Sequence, residues 1–162
     1  MPQALFLSSE AATAVLATRL ASLTRQGDIL ALWGQLGAGK TVFARAFIEA
    51  RAGVAIEVPS PTFTLVQVYE WEATGCVTNN PADIFHFDLF RLEAAEDVFE
   101  LGIEDAFASG ISLIEWPDRL GPFLPADRLD LAFTDVPGET DARLLTLTGH
   151  GNWRLRLAEA RV

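Results

Sequence analysis

Cysteine, histidine and lysine are all scarce in this sequence of 162 residues. The single cysteine, Cys76, excludes an intramolecular disulfide and a cysteine-based metal cluster. The two histidines, His86 and His150, are too few for a histidine-rich metal site. Eleven of the 12 basic residues are arginine, which a general preference for arginine over lysine explains. On that interpretation the one lysine, Lys40, marks a position where a planar guanidinium cannot replace a compact ammonium.

Positively charged residues and long apolar runs are also scarce. Twelve basic residues stand against 22 acidic ones, which gives a net charge of −10 at pH 7. Such a surface repels nucleic-acid backbones and anionic lipid, so we expect the chain to bind neither by itself. No apolar run reaches the ~18 residues of a membrane span, and residues 1–9 lack the basic region of a secretory signal. We therefore expect a cytoplasmic protein without membrane attachment.

The spacing of apolar residues predicts one domain of the α/β class. Length and ordinary globular composition favour a single domain over residues 1–162. Short apolar runs predict strands at Gln3–Leu7, Ile29–Trp33, 64–71, Ile84–Asp88, Ile111–Glu115, 129–133 and 143–148. Helical spacing predicts helices over 9–23 and 41–50 and shorter pieces over 97–101 and 104–108, and leaves 153–162 unassigned. Strands alternating with helices favour a P-loop NTPase-like mixed sheet with a parallel centre and helices on both faces.

A phosphate-binding motif follows the second predicted strand. Residues 34–41 read Gly-Gln-Leu-Gly-Ala-Gly-Lys-Thr and fit the pattern G-x-x-x-x-G-K-[ST]. In that pattern glycines let backbone N–H groups surround phosphates, the lysine reaches the β- and γ-phosphates, and the threonine hydroxyl ligates Mg²⁺. A ligand-free tight turn would need the glycines but not the only lysine of the chain. The predicted nucleotide contacts are Gly34, Leu36, Gly37, Ala38, Gly39, Lys40 and Thr41.

Two carboxylates end predicted strands and are candidates for the chemistry beside the phosphates. Asp88 closes one strand and Glu115 closes another, and ligands in such sheets lie beyond the carboxyl ends of the strands. One carboxylate could hold Mg²⁺ while the other orients the attacking water. Each could instead cap a helix or pair with Arg91 or Arg119. The residues alone do not say which carboxylate is the metal ligand.

Other residues near these strands have both a functional and a structural interpretation. Ser60 or Thr62, between prolines, could sense the γ-phosphate, but an ordinary proline-bounded loop is the simpler interpretation. Trp116 could border the nucleotide or only pack. His86 lies on an apolar strand, which is more typical of a core histidine than of a catalyst. An acidic cluster could be a solvated helix face or a docking surface for a basic partner, and comprises Glu93, Glu96, Asp97, Glu100, Glu104 and Asp105.

Four motifs in this order resemble the bacterial TsaE (YjeE) family. They are the glycine-rich motif at residues 34–41, Ser-Pro-Thr-Phe-Thr-Leu-Val at 60–66, His-Phe-Asp-Leu-Phe-Arg-Leu at 86–92 and Ile-Glu-Trp-Pro at 114–117. The first is generic, and the other three are close to signatures of the family. The resemblance covers about residues 4–135.

The resemblance implies a small ATPase for tRNA modification. Members of the family dock on the TsaB–TsaD complex, which forms threonylcarbamoyladenosine at position 37 of tRNAs that decode ANN codons, and support its turnover without carrying out the transfer. By resemblance Thr41 and Glu115 hold Mg²⁺, Asp88 supports weak, partner-stimulated ATP hydrolysis, and the Ser60–Thr62 loop is switch-like. The resemblance also implies that residues 8–10 and Asp118 lie near the nucleotide. Arg143, beyond the residues that the resemblance covers, is a further candidate on the phosphate side. The tRNA is met only indirectly, through the complex.

The sequence departs from the family in two places. Phe90 stands where the family usually has tyrosine, and the segment from residue 71 to 83 is long. Two other functional classes also use a phosphate loop. A small-molecule kinase usually carries an arginine-bearing lid, and residues 52–90 contain no basic residue. A nucleotide-gated binding module would need no hydrolysis and no catalytic role for Asp88.

Overall fold

The computed structural model describes residues 2–70, 81–160 and 162 of the chain. Its seven strands form one sheet. In chain order they are β1 (Gln3–Leu7), β2 (Ile29–Trp33), β3 (Val66–Tyr69), β4 (Ile84–Asp88), β5 (Ile111–Glu115), β6 (Leu129–Val136) and β7 (Glu139–Gly149). The helices are α1 (Glu10–Leu23), α2 (Lys40–Ala52), α3 (Ile103–Ser109) and α4 (Trp153–Ala160), with 3₁₀ helices at Ala95–Leu101 and Pro117–Phe123.

The centre of the sheet is parallel and both edges are antiparallel. The strand order is β1-β7-β6-β2-β5-β4-β3. Neighbouring strands among β6, β2, β5 and β4 pair in parallel, whereas β1, β7 and β3 run antiparallel to their neighbours. The mixed sheet with a parallel centre is therefore confirmed.

Helices cover both faces of the sheet because alternate side chains of the central strands point to opposite sides. On β2, Leu30 and Leu32 belong to one apolar cluster and Ile29 to the other. The first cluster packs under α1, α2 and α4, and the second under α3 and the two 3₁₀ helices. Strands buried on both faces read as continuous apolar runs, as β2 and β5 do.

Several predicted boundaries differ from the structure. The helix predicted over 41–50 is longer, because α2 runs from Lys40 to Ala52 and ends at Gly53, a left-handed residue. The strand predicted over 64–71 begins later, since Leu65 has a φ of 64° and its N–H bonds the Pro61 carbonyl in a turn. Most of the long segment from residue 71 to 83 lies outside the described residues.

The unassigned C-terminal segment forms α4, which buries Trp153 and Leu157 against the first cluster. Arg156 on this helix bonds both carboxylate oxygens of Asp28, at 2.6 and 2.7 Å. Within the described part of the chain, no helix combines the length and apolarity needed to cross a membrane.

Candidate functional site

The loop between β2 and α2 depends on its glycines. Gly34, Gly37 and Gly39 have φ angles of 143°, 78° and 107°, which side chains other than hydrogen rarely allow. A Cβ on Gly34 would lie 2.8 Å from the Phe133 carbonyl oxygen, so this position also needs glycine for space. The loop leads directly into the N-terminus of α2, whose first N–H groups form an anion-binding end.

The ammonium of Lys40 lies inside this loop. Its Nζ donates to the carbonyl oxygens of Gly34 at 2.5 Å and Gln35 at 2.8 Å, and lies 4.2 Å from the centre of the Trp116 ring. Burial lowers the pKa of Lys40 below its usual value, and the charges of Glu115, Asp88 and Asp118 partly oppose that shift. The carbonyl oxygens, the Trp116 ring and the acidic neighbours therefore all favour a cation that burial disfavours.

The two strand-ending carboxylates lie side by side, as their placement in the sequence predicted. β4 and β5 pair in parallel with Asp88 opposite Glu115. The Thr41 hydroxyl contacts both oxygens of Glu115, at 3.1 and 3.0 Å. Asp88 instead accepts from the Thr62 hydroxyl at 3.1 Å and from the Phe90 N–H at 3.1 Å. The structure thus couples Thr41 to Glu115 and ties Asp88 to the proline-bounded loop.

These groups line one cavity of about 270 Å³. Predicted residues in its lining are Leu36, Gly37, Ala38, Gly39, Lys40, Thr41, Ser60, Thr62, Asp88, Glu115 and Trp116. The lining also includes Val42 and Phe90, which the site prediction did not name. Phe90 packs against Trp116 with ring centres 4.9 Å apart, so its ring forms part of the wall without a phenol group.

Gly34 and Asp118 are predicted site residues that stand outside this lining. Gly34 acts through its carbonyl, which receives Lys40. Asp118 is exposed and reaches the site through its charge, one of those that oppose the lowered pKa of Lys40.

Arg143 and the start of α1 lie on the other side of the glycine loop. A smaller cavity of about 90 Å³ there includes Glu10, Gly37, Gly39 and Arg143 in its lining. The Arg143 guanidinium donates to the carbonyl oxygens of Ala38 at 3.0 Å and Gly37 at 3.3 Å. Arg143 therefore holds the back of the loop rather than pointing into the larger cavity.

His86 was interpreted as a core residue, and the structure gives it a further contact. The side chain is fully buried, and its Nε2 lies 2.8 Å from Glu115 Oε1. The parallel pairing of β4 with β5 could have indicated this contact, because His86 and Asp88 point to the same face and Glu115 is opposite Asp88.

Two non-glycine residues at the site have left-handed backbone conformations. Trp116, which follows Glu115 directly, has a φ of 58°, and Leu65 has a φ of 64°. The Leu65 carbonyl accepts the N–H of Asp88 at 2.9 Å. Such conformations are costly for residues with a side chain and concentrate at functional sites.

The oxygen atoms at this site suit Mg²⁺ better than they suit a metal that is coordinated only by protein side chains. Within residues 2–70, 81–160 and 162, no three His, Cys, Asp or Glu side chains form a metal-binding group. Magnesium, however, is usually held by one or two protein oxygens together with substrate phosphates and water. The Thr41 hydroxyl and the buried Glu115 carboxylate supply such a pair beside the glycine loop.

Comparison with known proteins identifies the family of the chain. The profile described as threonylcarbamoyl adenosine biosynthesis protein TsaE matches residues 7–143. A protein named tRNA threonylcarbamoyladenosine biosynthesis protein TsaE from Rickettsia bellii is 34% identical over 88% of this chain and 92% of its own length. The protein of that name from Bacillus subtilis is 33% identical over 86% of this chain and 81% of its own. The match to the Rickettsia felis protein, 41% identical, spans 70% of this chain and 62% of that protein.

A solved structure has the same fold as this chain. The crystal structure of Bacillus subtilis YdiB superimposes with a TM-score of 0.75 and 25% identity, covering 99% of this chain and 95% of that one. With the matched profile and these relatives, the chain belongs to the TsaE family of proteins for tRNA threonylcarbamoyladenosine biosynthesis.

Proposed function

We propose that this protein is a cytoplasmic, Mg²⁺-dependent ATP-binding and ATP-hydrolysing subunit that supports the TsaB–TsaD complex in tRNA threonylcarbamoyladenosine formation. The observation that carries the proposal is the convergence of Lys40, Thr41, Asp88 and Glu115 on one cavity beside the glycine loop. Family membership supports the tRNA-modification role.

The loop and Lys40 supply the groups that bind a triphosphate. Backbone N–H groups and the end of α2 favour negative charge. Lys40 Nζ would exchange the carbonyl oxygens of Gly34 and Gln35 for phosphate oxygens, and charge-assisted hydrogen bonds of that kind are stronger than neutral ones. A bound phosphate would also stabilise the charged form of a lysine that burial disfavours.

Thr41 and Glu115 are the residues that would hold the cation. Mg²⁺ bound there supplies neutralisation of the phosphate charge that builds up as the terminal phosphoryl group is transferred. Glu115 is 3% exposed, which keeps bulk water from competing for its oxygens.

Asp88 is the residue that would act on the attacking water. In hydrolysis a water oxygen bonds the γ-phosphorus, the bond to the bridging oxygen of ADP breaks, and the water proton must be accepted. Asp88 lines the cavity beside Glu115, and one of its oxygens accepts a hydrogen bond from the Thr62 hydroxyl. A carboxylate in that position can orient the water and accept its proton.

A nucleotide-gated binding module is the second candidate. Both oxygens of Asp88 already accept hydrogen bonds, Oδ2 from Thr62 and Oδ1 from the Phe90 N–H. This arrangement would suit a carboxylate that fixes a switch-like loop without taking part in chemistry. The two candidate functions predict different effects on phosphate release when the charge of Asp88 is removed.

Phosphate release measured with and without TsaB and TsaD tests the proposal. We expect slow hydrolysis by the protein alone and faster hydrolysis with both partners. Asp88→Asn should keep ATP affinity within a few-fold but lose about 10²–10⁴-fold in rate, the usual contribution of a general base. Glu159→Gln, an exposed charge removal on α4, is the matched control and should behave like the wild type.

Two results would decide against hydrolysis as the function. One is a rate that the partners do not change. The other is an Asp88→Asn protein that equals the wild type in phosphate release and in complementation of a strain lacking the family member, which supports the binding module.

A further inference from the structure

The contact between His86 and Glu115 is the buried polar pair that the proposed mechanism leaves unused. His86 is 0% exposed and Glu115 is 3% exposed, and Nε2 lies 2.8 Å from Oε1. The pair is set by the sheet, because His86 lies two residues before Asp88 on the strand that is paired with β5. Both side chains are therefore buried where the two strands bring them together.

The direction of this hydrogen bond follows from the surroundings of the ring. His86 Nδ1 is buried and has no hydrogen-bond partner among the described residues. Nε2 is the ring nitrogen that faces an acceptor, the carboxylate oxygen Oε1 of Glu115. The proton therefore lies on Nε2 and is donated to Glu115 Oε1.

This bond restricts how the Glu115 carboxylate can turn. The last torsion of a glutamate side chain is broad, so an unheld carboxylate samples many orientations. Oε1 accepts from both His86 and Thr41, whereas Oε2 contacts the Thr41 hydroxyl at 3.0 Å. With Oε1 fixed by His86, Oε2 stays beside the Thr41 oxygen, and both residues line the cavity.

We propose that His86 is a positioning residue, whose Nε2–H holds Glu115 in the orientation that binds the cation. The inference rests on the proposed function, since it concerns the Mg²⁺ that Thr41 and Glu115 would hold. Hydrogen-bond partners of metal-binding side chains reduce the cost of ordering them, and removing such a partner typically lowers metal affinity about 10–100-fold.

The test uses Mg²⁺ binding rather than hydrolysis. Mg²⁺ is titrated by calorimetry into protein saturated with a non-hydrolysable ATP analogue, and affinity for the analogue is measured separately in EDTA. His86→Leu removes the donor at similar size, and His86→Gln offers an amide N–H near the position of Nε2. His150→Leu is the matched control, because His150 makes a similar 2.7 Å contact to Asp130 on the far side of the protein from the loop.

We expect His86→Leu to raise the Mg²⁺ concentration at half-saturation about 10–100-fold, with analogue affinity in EDTA unchanged. His86→Gln and His150→Leu should stay within about threefold of the wild type. The inference is overturned if His86→Leu also stays within that range, if His86→Gln shares its defect, or if the loss is equal in EDTA.

A second pair of variants covers failure of His86→Leu to fold. His86→Asn has an amide too short to reach Glu115 and should show the Mg²⁺ defect, whereas His86→Gln should not; equal behaviour of the two overturns the inference. Failure of the proposed function is separate and would show as a wild-type protein that binds no analogue even with Mg²⁺.

Discussion

Lys40 is a buried cation, and its burial makes the charge costly to the fold. It is 4% exposed, and burial is the largest influence on its pKa, which lies below the usual 10.5. The charged form is therefore less favourable in the folded state than in the unfolded chain. A site that binds an anion can tolerate this cost, because the bound negative charge stabilises the charged lysine.

Replacing Lys40 with methionine should stabilise the fold while weakening ATP binding. The destabilising effect of the lysine is fully present below its folded-state pKa. It declines as pH rises through that value and is gone above 10.5, where the lysine is neutral in both states. The free energy of unfolding of Lys40→Met should therefore exceed that of the wild type most at pH values below the folded-state pKa of Lys40, and the difference should shrink towards pH 10.5.

Urea unfolding of both proteins across this pH range measures the difference directly. Arg154→Met, at an exposed position on α4, is the control and should show no such trend. A Lys40→Met protein that is less stable than the wild type by the same amount at every pH would show that burial does not strain the lysine.

At the scale of elements, the glycine loop is shaped by its neighbours as well as by its own backbone. Gly34 and Gly37 both have positive φ, but only Gly34 lies against other atoms. A Cβ there would meet the Phe133 carbonyl oxygen at 2.8 Å and Ala38 Cβ at 3.0 Å, whereas at Gly37 nothing lies within 4 Å. Substitutions at these two positions therefore distinguish the cost of backbone strain from the cost of steric crowding.

Gly34→Ala should cost about 2–4 kcal/mol of stability and Gly37→Ala about 1 kcal/mol, since the second carries only the strain of a left-handed residue. Denaturant unfolding of the two variants checks the difference. Equal losses would mean that β6 does not constrain the loop.

β7 contributes to the site through Arg143. Its bonds to the Ala38 and Gly37 carbonyls turn these oxygens to the outer side of the loop. Arg143→Ala should weaken ATP binding by about 3- to 30-fold, because each lost hydrogen bond contributes roughly 0.5–1.5 kcal/mol. It should also speed hydrogen exchange in the loop.

Calorimetry and amide exchange measure these two effects of Arg143→Ala. Arg154→Ala serves as the exposed control and should change neither. Faster exchange without any loss of affinity would contradict a role for Arg143 in preparing the loop for its ligand.

The sequence predicted the bounds of β1, β2, β4 and β5 as the structure has them. β2 and β5 begin and end where their apolar runs do, because both are buried on both faces. α4 could not be predicted from its own residues, since Trp153 and Leu157 become a core face only when the rest of the protein is present. β7 is longer than its apolar run because pairing with β6 extends it towards the Pro137–Gly138 turn.

The residues of the candidate site also differ in whether the sequence could predict their contacts. The glycine loop, Lys40 and Thr41 follow from a local motif, and the meeting of Asp88 with Glu115 follows from parallel strands. Arg143 lies 105 residues from its Ala38 partner, and no local pattern indicates that contact. The partner of His86 required the register of β4 on β5.

At the scale of the whole molecule, the charge bears on how the protein meets tRNA. A net charge of −10 opposes the phosphate backbone, and the proposed function needs contact with tRNA only through TsaB and TsaD. We expect no binding of isolated tRNA by this protein at micromolar concentrations and physiological salt.

Filter binding or electrophoretic mobility of tRNA, at several salt concentrations, measures this. TsaB–TsaD provides a positive control in the same buffers. Micromolar affinity of the isolated protein that falls steeply with salt would reveal a basic surface hidden by the net charge, and would contradict purely indirect contact.

The most direct test of the central claim is calorimetric titration of ATP, with and without Mg²⁺, into the wild-type protein and Lys40→Met. We expect saturable binding at one site of the wild type, tightened by Mg²⁺. Affinity should fall about 10- to 100-fold or more in Lys40→Met, because hydrogen bonds to charged groups contribute roughly 1.5–3 kcal/mol. No heat with the wild-type protein, or equal affinity of the two proteins, would contradict the assignment of this loop as a nucleotide site.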